Sequence, residues 1–165
     1  MVAMLDLYGF KVHVYFLVSN DVILAYGWHY EPNKALAHLN KIIEYHGLEG
    51  DITQSRVYED WLKNQLDKTV LEGMVFKMPN VGYRDMNIYL KLLEVRRGET
   101  ITYSELARRA GVRYTRVLTA LLKNPFQILI PCHRLVTSKG TLMGFHPLGI
   151  RVKRRLLELE GSIEH

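Results

Sequence analysis

The chain has 165 residues, enough for one medium domain or two small ones sharing an interface. It is 48% hydrophobic and 24% charged, and no run approaches the ~20 continuous apolar residues of a membrane span, so no membrane partner is expected. A net charge of +5 suits a polyanionic partner, and one cysteine excludes an internal disulfide.

A reducing, cytoplasmic compartment and a monomeric chain are therefore expected. Residues 1–11 lack a basic segment before an apolar run and a cleavage site, so no signal peptide is expected. His13, His29, His38, His46, His133, His146 and His165 are scattered without ligand spacing. Neither a metal nor a cofactor is expected. Arg96, Arg97, Arg108, Arg109, Arg113, Arg116, Arg134, Arg151, Lys153, Arg154 and Arg155 all fall in the second half. That crowding reads either as a nucleic-acid face or as a solvated basic surface.

Lys11 to Val18 alternates, with Val12, Val14, Phe16 and Val18 on one side, and predicts a strand. After the turn Ser19-Asn20-Asp21, Val22 to Tyr26 predicts a second. Ala35, Leu36, Leu39, Ile42 and Ile43 recur at helical spacing before Gly47, a natural terminator. Ser55 is placed to cap a short helix carrying Val57, Trp61 and Leu62. A break falls at Met78-Pro79-Asn80.

Beyond it the pattern turns helical. Met86, Tyr89, Leu90 and Leu93 form an apolar stripe ending before Gly98. Thr102-Tyr103-Ser104-Glu105 reads as a capping box opening a helix to Ala110, with Gly111 after it. Thr115 to Lys123 is a second helix, stopped by Asn124-Pro125. Two short helices around a Gly-containing turn fit a DNA-binding helix-turn-helix or an ordinary corner between core helices. Phe126 to Ile130 reads as a buried strand or extended segment leading into Cys132. A last helix carries Val152, Leu156, Leu157 and Leu159 and ends at Glu160-Gly161. The expected architecture is a small α/β domain over residues 1–78. A mostly α domain follows over residues 81–165, with a winged-helix-like helix-turn-helix.

A lone cysteine beside an apolar run is ordinarily a small core residue. It becomes a nucleophile where a base or cation favours its thiolate, and His133 is adjacent in sequence. Ile128-Leu129-Ile130-Pro131-Cys132-His133-Arg134-Leu135-Val136 resembles the active-site segment of the O6-alkylguanine-DNA alkyltransferases, whose hallmark is Pro-Cys-His-Arg/Lys after an apolar strand. Gly98 to Ala107 resembles the family stretch around its Ser/Thr-Tyr pair, and Asn124-Pro125 its Asn-Pro. Lys153 through Leu156-Leu157 to Glu160-Gly161 resembles its closing motif. The resemblance covers residues 81 to 165 and leaves the first half unmatched except in length and α/β character.

The resemblance implies repair of double-stranded DNA containing O6-alkylguanine, with irreversible transfer of the alkyl group to Cys132. His133 would be the base, acting through a water, with Glu160 as its orienter. Asn124 would join the two parts of the site. Tyr103 would help rotate the nucleotide out of the stack, since the target atom is inaccessible within it. Backbone carbonyls near Cys132 and Leu135 would bind the guanine amino group. Phe145, His146 and Lys153 would complete the pocket. The family's recognition-helix arginine falls at Thr115, counting back from Asn124, and Arg116 lies one position later, a rotation of roughly 100°. Arg116, Arg113 and Tyr114 are then the candidates to fill the gap left by the flipped base, with Thr115 and Thr102 also facing DNA. Pro147 has no N–H, which aligns His146 with the family's serine N–H donor to the guanine oxygen; a solvated loop histidine is the alternative. Rival readings are a lesion binder without transfer, a helix-turn-helix regulator and a Cys-His hydrolase.

Overall fold

The computed structural model describes residues 4–163. The first half is a sheet covered by helices. Strand β1 (Leu5–Leu7) is followed by β2 (Phe10–Ser19) and β3 (Val22–His29), and the three are antiparallel in that order. Helix α1 (Pro32–His46) precedes β4 (Asp51–Thr53), which pairs antiparallel with β2 at Phe16–Val18. Both expected strands are present and longer than the alternation suggested; β1 and β4 carry too few apolar positions to show a period.

Helix α1 buries Ala35, Leu39 and Ile42 against β3, and Gly47 ends it at φ 64°. The close approach needs Gly27: a Cβ there would lie 2.7 Å from Leu39 Cα. Helix α2 (Arg56–Val70) buries Leu62, Leu66 and Val70, whereas Val57 is exposed and Ser55 makes no capping bond. The apolar face therefore lies further along this helix than the sequence suggested.

In the second half, α3 (Met86–Leu93) buries Ile88, Tyr89 and Leu92, and Leu90 faces solvent. So many apolar residues stand on this helix that two stripes were available, and packing against α4 chose the other one. Strand β5 (Ile101–Thr102) leads into α4 (Tyr103–Ala110), Gly111 turns the chain at φ 69°, and α5 (Tyr114–Leu122) follows. Half of the capping box forms. The Glu105 N–H donates to Thr102 Oγ1 at 3.0 Å, but the Glu105 carboxylate pairs with Arg108. Arg113 occupies the N-cap position of α5, so Tyr114 belongs to the helix and not to the turn.

Phe126 to Ile130 is not a strand. It is a buried run of turns in which Ile128 has φ 79°, and Ile130 N–H returns to the Phe126 carbonyl at 2.8 Å. A single 3₁₀ turn, Cys132–Arg134, leads to β6 (Leu135–Val136), which pairs parallel with β5. Helix α6 (Ile150–Leu159) closes the fold. Apolar side chains from both halves join in one buried cluster. Among the described residues no helix is long and apolar enough to cross a membrane.

Candidate active site

Cys132 lies at the floor of a cavity of about 700 Å³. Its wall is built by Tyr103 from α4, Leu118, Leu121 and Leu122 from α5, Gln127, and Met143 to Pro147 with Gly149 and Ile150. The 3₁₀ turn presents the cysteine. Cys132 N–H donates to the Ile130 carbonyl at 2.7 Å, and Arg134 N–H to that of Pro131 at 3.0 Å. Asn124 ties the ends of the preceding loop together: its Nδ2 donates to the Ile130 carbonyl at 3.1 Å and its Oδ1 accepts Phe126 N–H at 2.9 Å. It is buried.

Burial pushes the Cys132 thiol up; a backbone hydrogen bond at Ile128, the Asn124 amide and the Lys153 charge act the other way without reversing it. The resting sulfur is thus a neutral thiol and needs a base. His133 is wholly buried and burial pushes its imidazole down, so it is neutral at pH 7. Its Nε2 lies 3.1 Å from Glu160 Oε2, close but out of line for a hydrogen bond, and its Nδ1 has no hydrogen-bond partner among the described residues.

Burial alone would raise the Glu160 carboxyl, but His133 and Arg134 beside it hold it down to about 2. Because His133 is itself neutral, the permanent charge of Arg134 is the stronger reason. Arg134 grips Glu160 with two bonds, Nε to Oε1 at 3.0 Å and Nη2 to Oε2 at 2.6 Å, and donates Nη1 to the Val95 carbonyl at 2.8 Å. The sequence placed Arg134 among surface basic residues; it is buried inside the fold.

Lys153 is buried as well and stands behind the cavity rather than in its lining. Its Nζ donates to Tyr103 Oη at 3.0 Å. Burial lowers Lys153 to about 8 and raises Tyr103 to about 12. Leu135, expected at the pocket, is fully buried in β6 and outside the lining. Phe145 and His146 do line it, and the exposed His146 ring stands edge-on to His38 at 6.1 Å.

On the helix-turn-helix, Arg113, Tyr114, Thr115 and Arg116 are all exposed. Thr102 is half-buried and its hydroxyl is occupied by the α4 cap. Arg116 does not point freely outward, because its Nε is 2.5 Å from Asp85 Oδ1. Tyr114 packs edge-on to Tyr103 with ring centroids 6.2 Å apart, and its hydroxyl is 3.9 Å from Met143 Sδ. Tyr114, one of the three candidates the sequence offered, therefore stands beside two residues of the cavity wall.

The family described as the 6-O-methylguanine DNA methyltransferase, DNA-binding domain, matches residues 84–162. A Mycobacterium tuberculosis protein solved in complex with DNA is 31% identical, over 63% of this chain and 68% of that one, with a TM-score of 0.54. The chain belongs to this family.

An O6-methylguanine-DNA methyltransferase of Pyrococcus kodakaraensis shares the fold over 92% of both chains, with a TM-score of 0.69 at 22% identity. A methylated-DNA–protein-cysteine methyltransferase of Metallosphaera sedula is 44% identical over 58% of this chain, and the match spans 60% of that relative's length. One from Methanothermobacter thermautotrophicus is 49% identical over 39% of this chain and 36% of its own length. The first half thus shares the fold alone, while the family match lies over residues 84–162, which include Cys132.

Sequence reasoning missed the contribution of the first half to the site. Tyr26 N–H donates to the Pro125 carbonyl at 3.1 Å, and Trp28 Nε1 to Gln127 Oε1 at 2.5 Å. A signal was present. Tyr26, Trp28 and Tyr30 alternate along one strand and its extension, and buried rings with polar tips require partners. Nothing in the sequence says where those partners lie.

Proposed function

We propose that the chain repairs double-stranded DNA by accepting an alkyl group from O6-alkylguanine onto Cys132, once per molecule. The observation that carries this is a buried neutral thiol opening on a largely apolar cavity, with the neutral His133 and the ionised Glu160 beside it.

His133 takes the thiol proton through a water, and Glu160 stabilises the imidazolium that forms. The sulfur then attacks the alkyl carbon in line. One carbon–sulfur bond forms and the carbon–O6 bond breaks. Guanine leaves with that electron pair and gains a proton, so the net change is thiol plus alkylguanine to thioether plus guanine. Nothing in the site removes a thioether, hence the single turnover. The base must leave the stack to reach Cys132, and in this reading Tyr114 holds the gap open. Residues 81–165 carry DNA binding and acceptance, and residues 1–78 support the site. The protein acts as a cytoplasmic monomer.

Incubation with an excess of a duplex containing O6-methylguanine, followed by peptide mass analysis, tests this. One methyl per chain on Cys132, and none in Cys132→Ala, is expected. Repeated turnover or a methyl elsewhere overturns the mechanism; lesion binding without transfer would favour a non-transferring lesion binder.

A further inference from the structure

Gln127 sits in the cavity wall only 3% exposed, and both ends of its amide are engaged. Its Oε1 accepts Trp28 Nε1–H at 2.5 Å, and its Nε2 donates to the His146 carbonyl at 2.6 Å. Its backbone carbonyl also accepts the Tyr26 hydroxyl. Two residues beyond Trp28, the Tyr30 hydroxyl donates to the Leu148 carbonyl at 2.6 Å.

These contacts form a pattern. Tyr26, Trp28 and Tyr30 alternate, so they stand on one face of β3 and its extension. Each spends its polar tip on the frame of the cavity. Tyr26 and Trp28 are wholly buried in the sheet. The segment that Tyr30 holds directly and Trp28 through Gln127, from Thr137 to Gly149, has neither helix nor strand, and Ser138 to Thr141 are exposed. It is held at its ends by the Thr137–Thr141 turn and by the buried Phe145 and Leu148, so the bond to the His146 carbonyl is what fixes its cavity-lining stretch from outside.

We propose that Gln127 is a positioning residue for alkyl transfer, relaying the rigid β3 face to His146 and so setting the cavity wall that meets the guanine. This rests on the alkyl-transfer reading above. Fixing the His146 carbonyl anchors one side of that residue; in the alkyl-transfer reading its N–H, in the neighbouring peptide plane, meets the guanine oxygen as the carbon–oxygen bond breaks. A donor aimed at developing charge is worth most when it is already in place. Trp28, in this scheme, acts on the reaction only through Gln127.

The test uses the full-length chain and the variants Gln127→Met, Trp28→Phe and their double. Gln127→Met keeps the length and removes both bonds; Trp28→Phe keeps a ring and removes the donor. Transfer from free O6-benzylguanine should slow by about tenfold or more in Gln127→Met. Alkylation of Cys132 by iodoacetamide should stay within about twofold of wild type, because that reagent uses the thiol but not the guanine-facing wall. Trp28→Phe should slow transfer too, and the double variant should be no slower than Gln127→Met. Unchanged transfer in Gln127→Met overturns the proposal. So does an iodoacetamide rate that falls in proportion, which would mean general collapse of the site. So does full additivity of the two substitutions. If wild type transfers nothing, the reading beneath has failed; if it transfers and the variants match it, this inference alone has failed.

Discussion

Arg116 Nε lies 2.5 Å from Asp85 Oδ1, and the same carboxylate accepts the Tyr45 hydroxyl at 2.6 Å. This joins the second helix of the helix-turn-helix to the start of α3 and, through Tyr45, to α1. The Asp85 side chain is 3% exposed and that of Arg116 is 48% exposed. The carboxylate is therefore the settled partner and the guanidinium the movable one. A DNA phosphate and Asp85 would compete for Arg116. Asp85→Asn should steepen the salt dependence of duplex binding by about one ion as Arg116 is released. In the otherwise native chain, Arg116→Ala should leave that slope nearly unchanged. Titrations at several salt concentrations check both; a slope reduced by one in Arg116→Ala would mean Arg116 already contacts phosphate.

In the proposed mechanism Tyr114, rather than the Asp85-tied Arg116, is the wedge. Its ring borders Tyr103 and its hydroxyl nears Met143, both of which line the cavity. Only a duplex needs a wedge. Tyr114→Ala should slow transfer from a lesion-bearing duplex by about a hundredfold, the scale on which misplaced groups act. Transfer from the free alkylated base should be spared. Equal slowing on both substrates would assign Tyr114 to the pocket instead.

Glu160 serves His133 and Arg134 together, and this shapes two expectations. His133→Ala should slow single-turnover transfer more than Glu160→Gln, since a base acts directly and its orienter indirectly. The double variant should lose less than the sum of the two. Glu160→Gln should also destabilise the fold by about 3–5 kcal/mol, because Arg134 would be left buried without its counter-charge. Rates should therefore be measured well below the melting temperature.

Acid should act on the same cluster. Glu160 is held down to about 2 in the fold, from 4.5 ordinarily. Its contribution is present above pH 4.5 and is lost as the pH falls towards 2, by about 3 kcal/mol in all. His133 is held neutral by burial, so the unfolded chain takes up its proton first and the decline begins below about pH 6.5. Both effects have the same sign. Melting temperatures from pH 7 to 3 should fall steadily, and a flat profile would show that Glu160 is not held ionised by this cluster.

The amino-acid sequence by itself determined the local elements around Cys132 and pointed to the chemistry proposed for it. Cys132-His133 after an apolar run, the Thr102 cap, Gly111 and Asn124-Pro125 act within a few residues, and short-range preferences read directly from the chain. The mixed first half and helical second half follow from periods of two and 3.6 in the same way. Tertiary structure alone decided which charges are free. Arg134 and Lys153 count as basic residues in any composition, yet both are buried, while Arg116 is tied to Asp85. It also decided that Phe126–Ile130 is a knot of turns, although its apolar run suits a strand, because Asn124 and β3 supply the bonds a sheet would otherwise have given. The ladder from Trp28 through Gln127 to His146 joins residues 99 and then 19 positions apart. No periodicity reports such pairings, because only the packed core brings those polar groups together, where each must find a partner once water is excluded.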